Sequence, residues 1–571
     1  MRRIAFCFLL GAIAASNAQG QLKIDNAVFF IGSGATVTVQ GDVTSNVDIQ
    51  GTGLLLLKGS SLQNIDMSGK TIPNLELDNL TNATLLNTNA RIGTNLLFTN
   101  GKFQTGNLNL VLSPTATITG PGAAKFVWTN GTGQLVKELT ADIASFELPV
   151  GENANYRPAY LTTTGSSYAG GANFGVRVIG TADPNKPPST VSNLKTAWPV
   201  TRTGITGGTN TLAGQYLDPT DVNGTEAGIF GYYYNNTTSD WSSVGETHNA
   251  ATNRISAPVV SNAGTVSGIN KFLAVGARAF LQGAYQSPIT TAGLMNDNLR
   301  TLPFGPASST ANFPQDDPYR QAPYNATFTH VNNNLSPVET IPNSGVIAAQ
   351  ADPANNIVDW VFLQLRDLSP SPGNVVLQTR SALIQRDGDI VDVDGVSPVT
   401  FNGLPDGNYV ITVRHRNHLG LSFDQGSPRT FTETKSLAFG ANVADLKTAT
   451  DAQLFGNSAA FTNVTLPGPI TVRALWGGNA NVSTTAAATG IKYVTPNSDN
   501  GTILAQVLAF PGNISGLFNY SSATGYFSGD NNMNKTVKYT TPNADGAIII
   551  SNILTLSALF NYSGLVQQIQ N

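Results

Sequence analysis

Short apolar stretches separated by Gly, Asn and Ser turns run through residues 19–165. Valine alternates with threonine in Val37–Val39, leucines form the run Leu54–Leu57, and leucine alternates again in Leu108–Leu112. Alternation of this kind is typical of strands that bury one face. One such strand cannot bury its face alone, so stacking the strands as rungs of a β-solenoid would form a continuous core. Asn and Gly at the presumed corners, as in Thr99–Gly101, favour the solenoid over the competing β-sandwich.

The pattern of apolar residues changes three times in the middle of the chain. Residues 166–277 predict a second all-β block, a β-sandwich in which Trp198 and Trp241 are natural core aromatics. Residues 278–345 are rich in Pro, Asn and other polar residues, which predicts an extended connector. Residues 346–470 return to strands at the spacing expected of an immunoglobulin-like β-sandwich.

The last segment, residues 471–571, contains a duplication. The sequence Ile491–Asp499 matches Val537–Asp545, and each copy is followed by an apolar run, Ile503–Phe510 or Ile548–Leu554. Both runs contain few helix breakers, so they predict two short helices. The expected fold is therefore mainly β, with a small duplicated loop-and-helix unit at its end.

The N-terminus predicts export from the cell. Within residues 1–18, Arg2 and Arg3 form a basic start, Ile4–Ala15 form an apolar segment, and Ala18 is a small residue suited to cleavage. The apolar segment is too short to span a bilayer, and no later segment has the length and character of a transmembrane helix. We therefore expect a secreted protein with a signal peptide and no transmembrane segment.

Cysteine content and net charge further restrict the class of protein and its partners. Cys7 is the single cysteine and lies inside the signal peptide, so export without disulfides favours a bacterial extracellular or cell-surface protein. Removal of Arg2 and Arg3 takes the 31 basic residues to 29 against 35 acidic ones, a net charge of −6. A mildly acidic chain without basic clusters is a poor partner for nucleic acid.

A candidate cation site lies in the second copy of the duplication. Oxygen-bearing side chains at positions 1, 3 and 5 of a loop, with a backbone carbonyl at position 7, can bind Ca²⁺. The residues that fit are Asp530, Asn532, Asn534 and, through its carbonyl, Thr536, with Asp545 closing the shell. Lys535 occupies the position where a turn glycine is expected. The alternative is that both loops have lost the metal and persist as turns.

The first copy of this loop is a weaker candidate. Its corresponding residues, Asn479, Asn481 and Ser483, carry no charge, and the loop that follows them is longer. We therefore expect cation binding in the second copy rather than the first.

Two other charged clusters are candidate sites. The segment Asp387–Gly395 contains four aspartates, which would repel one another unless solvated, paired with Arg380 and Arg386, or bridged by Ca²⁺. Pairing with arginine in a solvated turn is the preferred interpretation. The segment Arg414–His418 holds two histidines three residues apart, and we expect it to be a basic strand end that faces the acidic cluster.

Catalysis has little support in the sequence. His248 and His330 lie outside any recognised catalytic motif, and no nucleophile elbow, zinc-protease helix or phosphate loop is present. A polysaccharide-cleaving β-helix enzyme would need paired acids on the solenoid. The few acids there, for example Asp42, Asp48, Asp66, Glu76 and Asp78, are scattered and form no convincing pair.

Several segments of the second half resemble a known group of proteins. They are Val358–Val361, Leu383–Gly395, Val413–Gly420, Leu281–Tyr285, Met295–Arg300 and the two Lys-Tyr repeats. Their sequences are similar to segments of large secreted or surface proteins of Bacteroidota, described as hemagglutinin-like or adhesin-like. The repeats resemble the dockerin-like pairs that end such proteins. The resemblance covers about residues 280–571, and more loosely the segment Phe146–Pro158 and the rungs before it.

The resemblance implies a location at the surface of a Gram-negative bacterium or outside it. It also implies a non-enzymatic adhesive or scaffold role, Ca²⁺ in the dockerin-like unit, and other surface proteins or glycans as partners. Three alternatives remain open at this point: a carbohydrate-binding scaffold component, a structural subunit that self-associates into fibres or a surface layer, and a polysaccharide lyase or glycoside hydrolase.

Overall fold

The fold was analysed in a computed structural model. It describes residues 20–187, 190–242, 247–285, 293–332, 339–367, 375–402, 407–423, 429–431, 439–446, 461–466, 470–483, 490–555 and 565–566. The predicted signal peptide lies outside these residues. The described chain is mainly β, as the sequence predicted, and it falls into two compact units. The first comprises the described residues within Met1–Asp183, Leu194–Asp221 and Gly245–Ser267; the second comprises those within Pro184–Asn193, Val222–Val244 and Gly268–Asn571.

A parallel β-solenoid forms the N-terminal part of the first unit, which confirms the solenoid prediction. One sheet contains Leu22–Ile24, Val43–Ser45, Gln63–Asp66, Ala83–Leu85, Phe103–Gln104, Val127–Trp128 and Val150–Glu152, followed by antiparallel Asn155–Tyr156. The other contains Thr36–Val39, Leu54–Leu57, Thr71–Asp78, Ala90–Asn100, Leu110–Leu112 and Leu135–Glu138, with Thr117–Thr119 also beside Ala90–Asn100. A third, short sheet pairs Phe29–Ile31 with Ile49–Gly51.

Apolar columns fill the interior of the solenoid. Ile92 pairs with Ile72 on one side and with Leu112 on the other, and all three side chains are fully buried. Burial of a Leu or Ile side chain contributes about 1.5–3 kcal/mol, so such columns are the main stabilising term of the solenoid. In rungs such as Leu54–Leu57, Gln63–Asp66 and Leu110–Leu112, the alternating sequence pattern corresponds to a buried residue at every second position.

Asparagine side chains join successive rungs at the corners. In each case the side-chain oxygen of one rung accepts a hydrogen bond from a backbone N–H 20 to 25 residues further on. The pairs are Asn82 with Lys102, Asn89 with Asn109, Asn107 with Thr132, and Asn109 with Gln134, at 2.8 to 3.1 Å. The rungs also approach closely at Gly133, where a Cβ atom would lie 2.0 Å from the carbonyl oxygen of Leu108. These corners explain why Asn and Gly recur in this part of the sequence.

The remainder of the first unit is antiparallel and continues from the solenoid. Ser167–Val176 pairs directly with the solenoid strand Leu135–Glu138 and with Asn193–Thr206, so residue 166, where the sequence suggested a new domain, lies just before a strand of the same sheet. A five-stranded sheet has the order Phe146–Leu148, Ala159–Thr164, Thr209–Gln215, Arg254–Pro258, Thr247–Asn249. The ion pair of Arg157 with Asp221 is buried beside it, with two hydrogen bonds of 2.6 and 2.7 Å.

A mostly antiparallel sheet organises the second unit. Its order is Val399–Asn402, Phe272–Arg278, Asp389–Val391, Val376–Gln385, Ile357–Asp367, Gly407–His415, His418–Ser422, with Arg429–Phe431 beside Gly407–His415 and Phe439–Asp445 parallel to Phe272–Arg278. The predicted boundary at residue 277 therefore falls inside a strand of this sheet. The reason is that Phe272–Arg278 pairs with strands more than 100 residues later, which the local pattern does not reveal.

The segment that the sequence suggested as an extended connector is packed into the core of this unit. Every residue from Ile357 to Arg366 is buried, so both faces of the central strand are covered. Aromatic residues of the segment supply part of that cover: Tyr319 donates a hydrogen bond to the carbonyl of Trp360, and its ring lies 5.5 Å from that of Phe362. The described residues of the segment 278–345 thus differ from an extended connector, because aromatic side chains between their polar turns are buried in the core.

The remaining elements are short. The β pairs are Ile229–Asn235 with Asp240–Ser242, Phe304–Gly305 with Phe313–Pro314, Thr462–Leu466 with Ile470–Ala474, Gly490–Ile491 with Leu565–Val566, and Ala523–Thr524 with Thr536–Val537. Val222–Asn223 and Ala263–Asn270 are also strands, and single 3₁₀ turns are Glu226–Gly228, Gln282–Tyr285, Asn298–Thr301, Pro318–Arg320, Tyr324–Ala326 and Pro353–Asn355. In the part of the chain that the structure describes, the α-helices are α1 (Asp499–Ala509) and α2 (Gly546–Thr555).

Candidate metal centre

The two copies of the C-terminal repeat have the same local architecture. In each copy a loop is followed by an aspartate, Asp499 or Asp545, that begins α1 or directly precedes α2. Both aspartates accept two backbone hydrogen bonds: Asp499 from Asn481 and Lys492 at 2.7 and 2.6 Å, Asp545 from Asn532 and Lys538 at 3.2 and 2.7 Å. Asn497 and Asn543 take the left-handed conformation at matching positions, with φ of 61° and 60°. The sequence duplication is thus also a structural one.

The side-chain oxygens of Asp530, Asn532 and Asn534 accept hydrogen bonds from the backbone of their own loop. Asp530 accepts hydrogen bonds from the backbone N–H groups of Asn534 and Lys535 at 3.0 and 2.8 Å. Asn532 Oδ1 accepts from the N–H of Asn534 at 3.2 Å, and Asn534 Oδ1 accepts from the N–H of Thr536 at 2.9 Å. These bonds fix the orientation of the carboxylate and amide groups at positions 1, 3 and 5.

Lys535 makes the turn that was expected of a glycine. Its φ is +67°, in the left-handed region, where a non-glycine residue is strained by roughly 1–2 kcal/mol. The side chain compensates in part by donating a hydrogen bond from Nζ to Thr301 Oγ1 at 2.8 Å. The loop therefore keeps its shape although the glycine is missing.

The loop holds two buried carboxylates, and the nearby charge of Arg416 lowers the pKa of Asp530 too little to offset the effect of burial. Burial raises the pKa of Asp530 from 3.8 to about 7. Burial and the nearby charge of Asp530 raise the pKa of Asp545 well above its usual value. The buried Asn531 Oδ1 accepts no hydrogen bond from any described residue. Two buried carboxylates that repel one another are costly to ionise, and a divalent cation between them would remove that cost.

The donor set fits Ca²⁺. It comprises the carboxylates of Asp530 and Asp545, the amide oxygens of Asn532 and Asn534, and the carbonyl of Thr536, all of which are hard oxygen ligands. The N–H of Asn532 is bonded to Asp545, and Asn532 lies between Asp530 and Asn534, so the loop and Asp545 are adjacent. Asp530, Asn532 and Asp545 are buried, whereas Asn534 and Thr536 are half-buried. Bound there, Ca²⁺ would supply charge neutralisation and loop rigidity rather than reaction chemistry.

The first copy has half of this charge. Its one buried carboxylate is Asp499, whose pKa is raised to about 8 by burial. Asn481 Oδ1 is already bonded to the hydroxyl of Ser483 at 2.8 Å. Sequence reasoning gave Asp499 no role, although it matches Asp545 in the repeat, and that match was the signal by which it could have been found.

A buried polar network lies next to the Asp530 loop and was not foreseen. Asp359 accepts hydrogen bonds from the Tyr526 hydroxyl at 2.6 Å, from Arg416 Nε at 2.9 Å and from His415 Nε2 at 3.0 Å. Burial pushes the pKa of Asp359 upward, but the charge of Arg416 and the hydrogen bond from His415 outweigh it, so the pKa lies below the usual value. The guanidinium of Arg416 also lies 4.4 Å from the ring centre of Tyr526.

The expected pairing between the basic segment and the acidic cluster is wrong. Arg414–His418 does not contact Asp387–Gly395 among the described contacts; His415 and Arg416 bind Asp359 instead. The cluster finds other arginines: Asp392 pairs with Arg380 at 2.7 Å, and Asp389 pairs with Arg278. The arginine pairing of the acidic cluster therefore agrees with the structure, with Arg278 as the second partner because strand order selects it. The expectation of a solvated turn is wrong for Asp392, because its pair with Arg380 is buried.

A group of three titratable side chains elsewhere in this unit is neutralised by arginine. Ligand atoms of Asp317, His330 and Glu339 lie within 4.8 Å of one another. Arg320 approaches both Asp317 and Glu339 at 3.2 Å, and Arg380 approaches Glu339 at 3.3 Å. The arginines occupy the place in which a cation would compensate the carboxylates, so this group is an ion-pair network.

Comparison with known proteins assigns neither a family nor a function to the chain. No protein-family model, curated protein or solved structure matches the chain. Within the described ranges, no helix has the length and apolar character needed to cross a bilayer.

Proposed function

We propose that this chain is a secreted or cell-surface adhesin or scaffold protein of the Bacteroidota hemagglutinin-like kind, and that it is not an enzyme. The proposal includes immunoglobulin-like packing for the sheet of residues 346–470 and a dockerin-like nature for the duplicated unit. Its partners are other surface proteins or glycans.

The observation that carries this proposal is the hydrogen bonding of the acidic side chains in the solenoid. Five of them accept a hydrogen bond from the following rung: Asp42 from Asn64, Asp48 from Thr71, Asp66 from Asn87 and Thr88, Glu76 from Thr99, and Asp78 from Asn100. A glycosidase acid needs a raised pKa. The hydrogen bond from Lys58, followed by that from Asn100, instead holds the pKa of Asp78 below its usual value. These acids are used to join rungs, which suits a scaffold.

A binding assay and a turnover assay on the mature chain test the proposal together. Beads coated with the chain are expected to adhere to glycan arrays or to bacterial and host cells, without releasing reducing ends from a panel of polysaccharides. Heat-denatured protein is the control for nonspecific adhesion. If the wild type cleaves a polysaccharide and Asp66→Asn or another single carboxylate variant does not, the protein is a polysaccharide-cleaving enzyme and this proposal is wrong.

The calcium site is part of the proposal and has its own test. Ca²⁺ at 100 times its Kd stabilises a folded protein by about 2.7 kcal/mol, which a thermal unfolding curve resolves easily. We expect Ca²⁺ to raise the melting temperature of the wild type but not of Asp530→Asn. Asp499→Asn, the matched change in the first copy, should retain the response. An equal response of all three proteins would show that the Asp530 loop is not the site.

Self-association into fibres or a surface layer is a second candidate, supported by the first rung. Leu22–Ile24 and Thr36–Val39 stand at the ends of their sheets, and Val28 and Phe30 beside them are 72% and 66% exposed. Unpaired strand edges with exposed apolar side chains promote pairing with another chain. Sedimentation velocity at increasing concentration should then show assembly that Phe30→Lys reduces, and a monomer at all concentrations would exclude it.

A further inference from the structure

The Asp530 loop is held from outside by the sheet of the second unit. The amide of Asn417 donates a hydrogen bond to the carbonyl oxygen of Asp530 at 2.7 Å. Arg416 Nη1 donates another to the carbonyl of Phe527. Both donors lie in the turn that joins the strands Gly407–His415 and His418–Ser422. The backbone position of the first calcium ligand is therefore set by residues that precede it by more than 100 positions.

A glycine makes a second, closer contact with the same loop. A Cβ atom at Gly283 would lie 2.0 Å from the carbonyl oxygen of Asn531, so the two backbones are packed against each other without room for a side chain. The N–H of Gly283 is also bonded to His418 Nε2 at 3.0 Å. Gly283, His418 and the loop thus form one layer, and a shift of the loop has to move all of them.

The hydrophobic cores also join the duplicated unit to the sheet. Tyr526 and Met533, on either side of Asp530, belong to the core of the sheet, whereas Leu419 of the sheet belongs to the core that contains α1 and α2. Tyr526 also donates its hydroxyl hydrogen to Asp359 on the central strand. The duplicated unit and the sheet therefore exchange side chains on both sides of the loop.

We propose that cation binding by the Asp530 loop and docking of the duplicated unit on the sheet are thermodynamically coupled, so that Ca²⁺ fastens residues 268–571 into one cooperative body. The inference rests on the calcium site proposed above. Because coupling is reciprocal, contacts from Asn417 and Gly283 strengthen Ca²⁺ binding to the same extent that Ca²⁺ strengthens docking. The carbonyls of Phe527, Asp530 and Asn531 face the chain's own sheet, so any partner of this unit must use another surface.

Two substitutions test the coupling without touching a ligand side chain. Gly283→Ala inserts a wedge against the Asn531 carbonyl, and Asn417→Ala removes the hydrogen bond to the Asp530 carbonyl. Two controls lie in the same unit: Gly228→Ala, where a Cβ atom has nothing within 4 Å, and Gln385→Ala, which deletes a buried amide that donates to the carbonyl of Gly395. Each full-length protein is titrated with Ca²⁺ by calorimetry after its fold is checked by circular dichroism.

We expect Gly283→Ala and Asn417→Ala to weaken Ca²⁺ binding about ten-fold or more, within the usual range of coupling between sites. The controls should stay within about two-fold of the wild type. In hydrogen exchange, Ca²⁺ should slow the amides of Arg414–His418 together with those of the loop in the wild type. If Gly283→Ala fails to fold, Asn417→Ala decides the question.

The experiment distinguishes failure of the coupling from failure of the calcium site. Wild-type binding with unchanged affinity in Gly283→Ala and Asn417→Ala would overturn the coupling alone. Absence of any heat or melting shift with Ca²⁺ in the wild type would overturn the calcium site and the coupling with it.

Discussion

Affinity for Ca²⁺ should fall steeply as the pH drops below 7, because the Asp530 loop must release protons before it can bind the ion. Burial raises the pKa of Asp530 from 3.8 to about 7. A shift of about three pH units corresponds to about 4 kcal/mol of preference for the protonated form in the folded protein. Asp545, whose pKa is raised by burial and by Asp530, adds a second proton to the same equilibrium.

The sign of the effect differs between the calcium-free and the calcium-bound protein. A carboxyl group whose pKa is higher in the folded than in the unfolded state binds its proton more tightly when folded. The calcium-free protein should therefore lose stability as the pH rises from about 4 to about 7 and regain it as the pH falls. Saturating Ca²⁺ reverses this trend, since ion and protons compete for the same oxygens.

Calorimetric titrations at several pH values measure the competition directly. Each unit below pH 7 should weaken binding about ten-fold if one proton is released and about a hundred-fold if two are. Repeating the titration in buffers of different ionisation enthalpy counts the protons. A Kd that is constant from pH 5.5 to 7.5, or binding without proton release, would refute the reasoning.

Asp499 provides an internal control for this experiment. Its pKa is also raised, to about 8, but its loop has no second buried carboxylate. Asp499→Asn should therefore reduce the pH dependence of stability in the calcium-free protein and leave the pH dependence of Ca²⁺ affinity intact. Loss of the affinity effect in this variant would move the cation site to the first copy.

Three further predictions follow from the buried network, the solenoid corner and the loop turn. Arg416→Met leaves the Asp359 carboxylate buried without its arginine and should lower the free energy of unfolding by about 3–5 kcal/mol in urea titrations; a loss below about 1 kcal/mol contradicts the ion-pair argument. Gly133→Ala forces a Cβ atom against the Leu108 carbonyl and should destabilise the solenoid by at least about 1–3 kcal/mol by circular dichroism, so an unchanged melting temperature would argue against close rung stacking. Lys535→Gly relieves the left-handed strain at that position and should keep or increase Ca²⁺ affinity in calorimetry, whereas weaker binding would mean that the lysine side chain itself supports the loop.

Local periodicity was sufficient to predict the solenoid and insufficient to predict the domain boundaries. Each rung repeats the same apolar and Asn/Gly pattern, so the stacking could be inferred from one stretch of sequence. The segment 278–345 has no such period, because its buried residues Phe313, Tyr319 and Phe328 are separated by polar turns. The strand Phe272–Arg278 pairs with residues far along the chain, so the boundary at 277 could not be tested by a local pattern.

The candidate site was likewise predictable from the sequence only in part. The ligand set of the Asp530 loop is contiguous apart from Asp545, and the regular spacing of its oxygens was visible in the sequence. The network around Asp359 joins a central strand, a turn and a loop that are 56 to 167 residues apart. Nothing in the local sequence of Arg414–His418 indicates which acid it meets, and proximity to Asp387–Gly395 pointed to the wrong one.

The Asn side chains that bind the next rung restrict how this chain can change its length. Each amide reaches a backbone N–H one full circuit later, so an insertion of one or two residues at an Asn corner would leave that amide facing the wrong atom, whereas the spacings of 20 and 25 residues show that the rest of a circuit can differ in length. Gain or loss of an entire circuit of about 20 to 25 residues preserves all of these contacts. Related chains are therefore expected to differ in the solenoid by whole circuits, and engineered versions can be lengthened in the same steps.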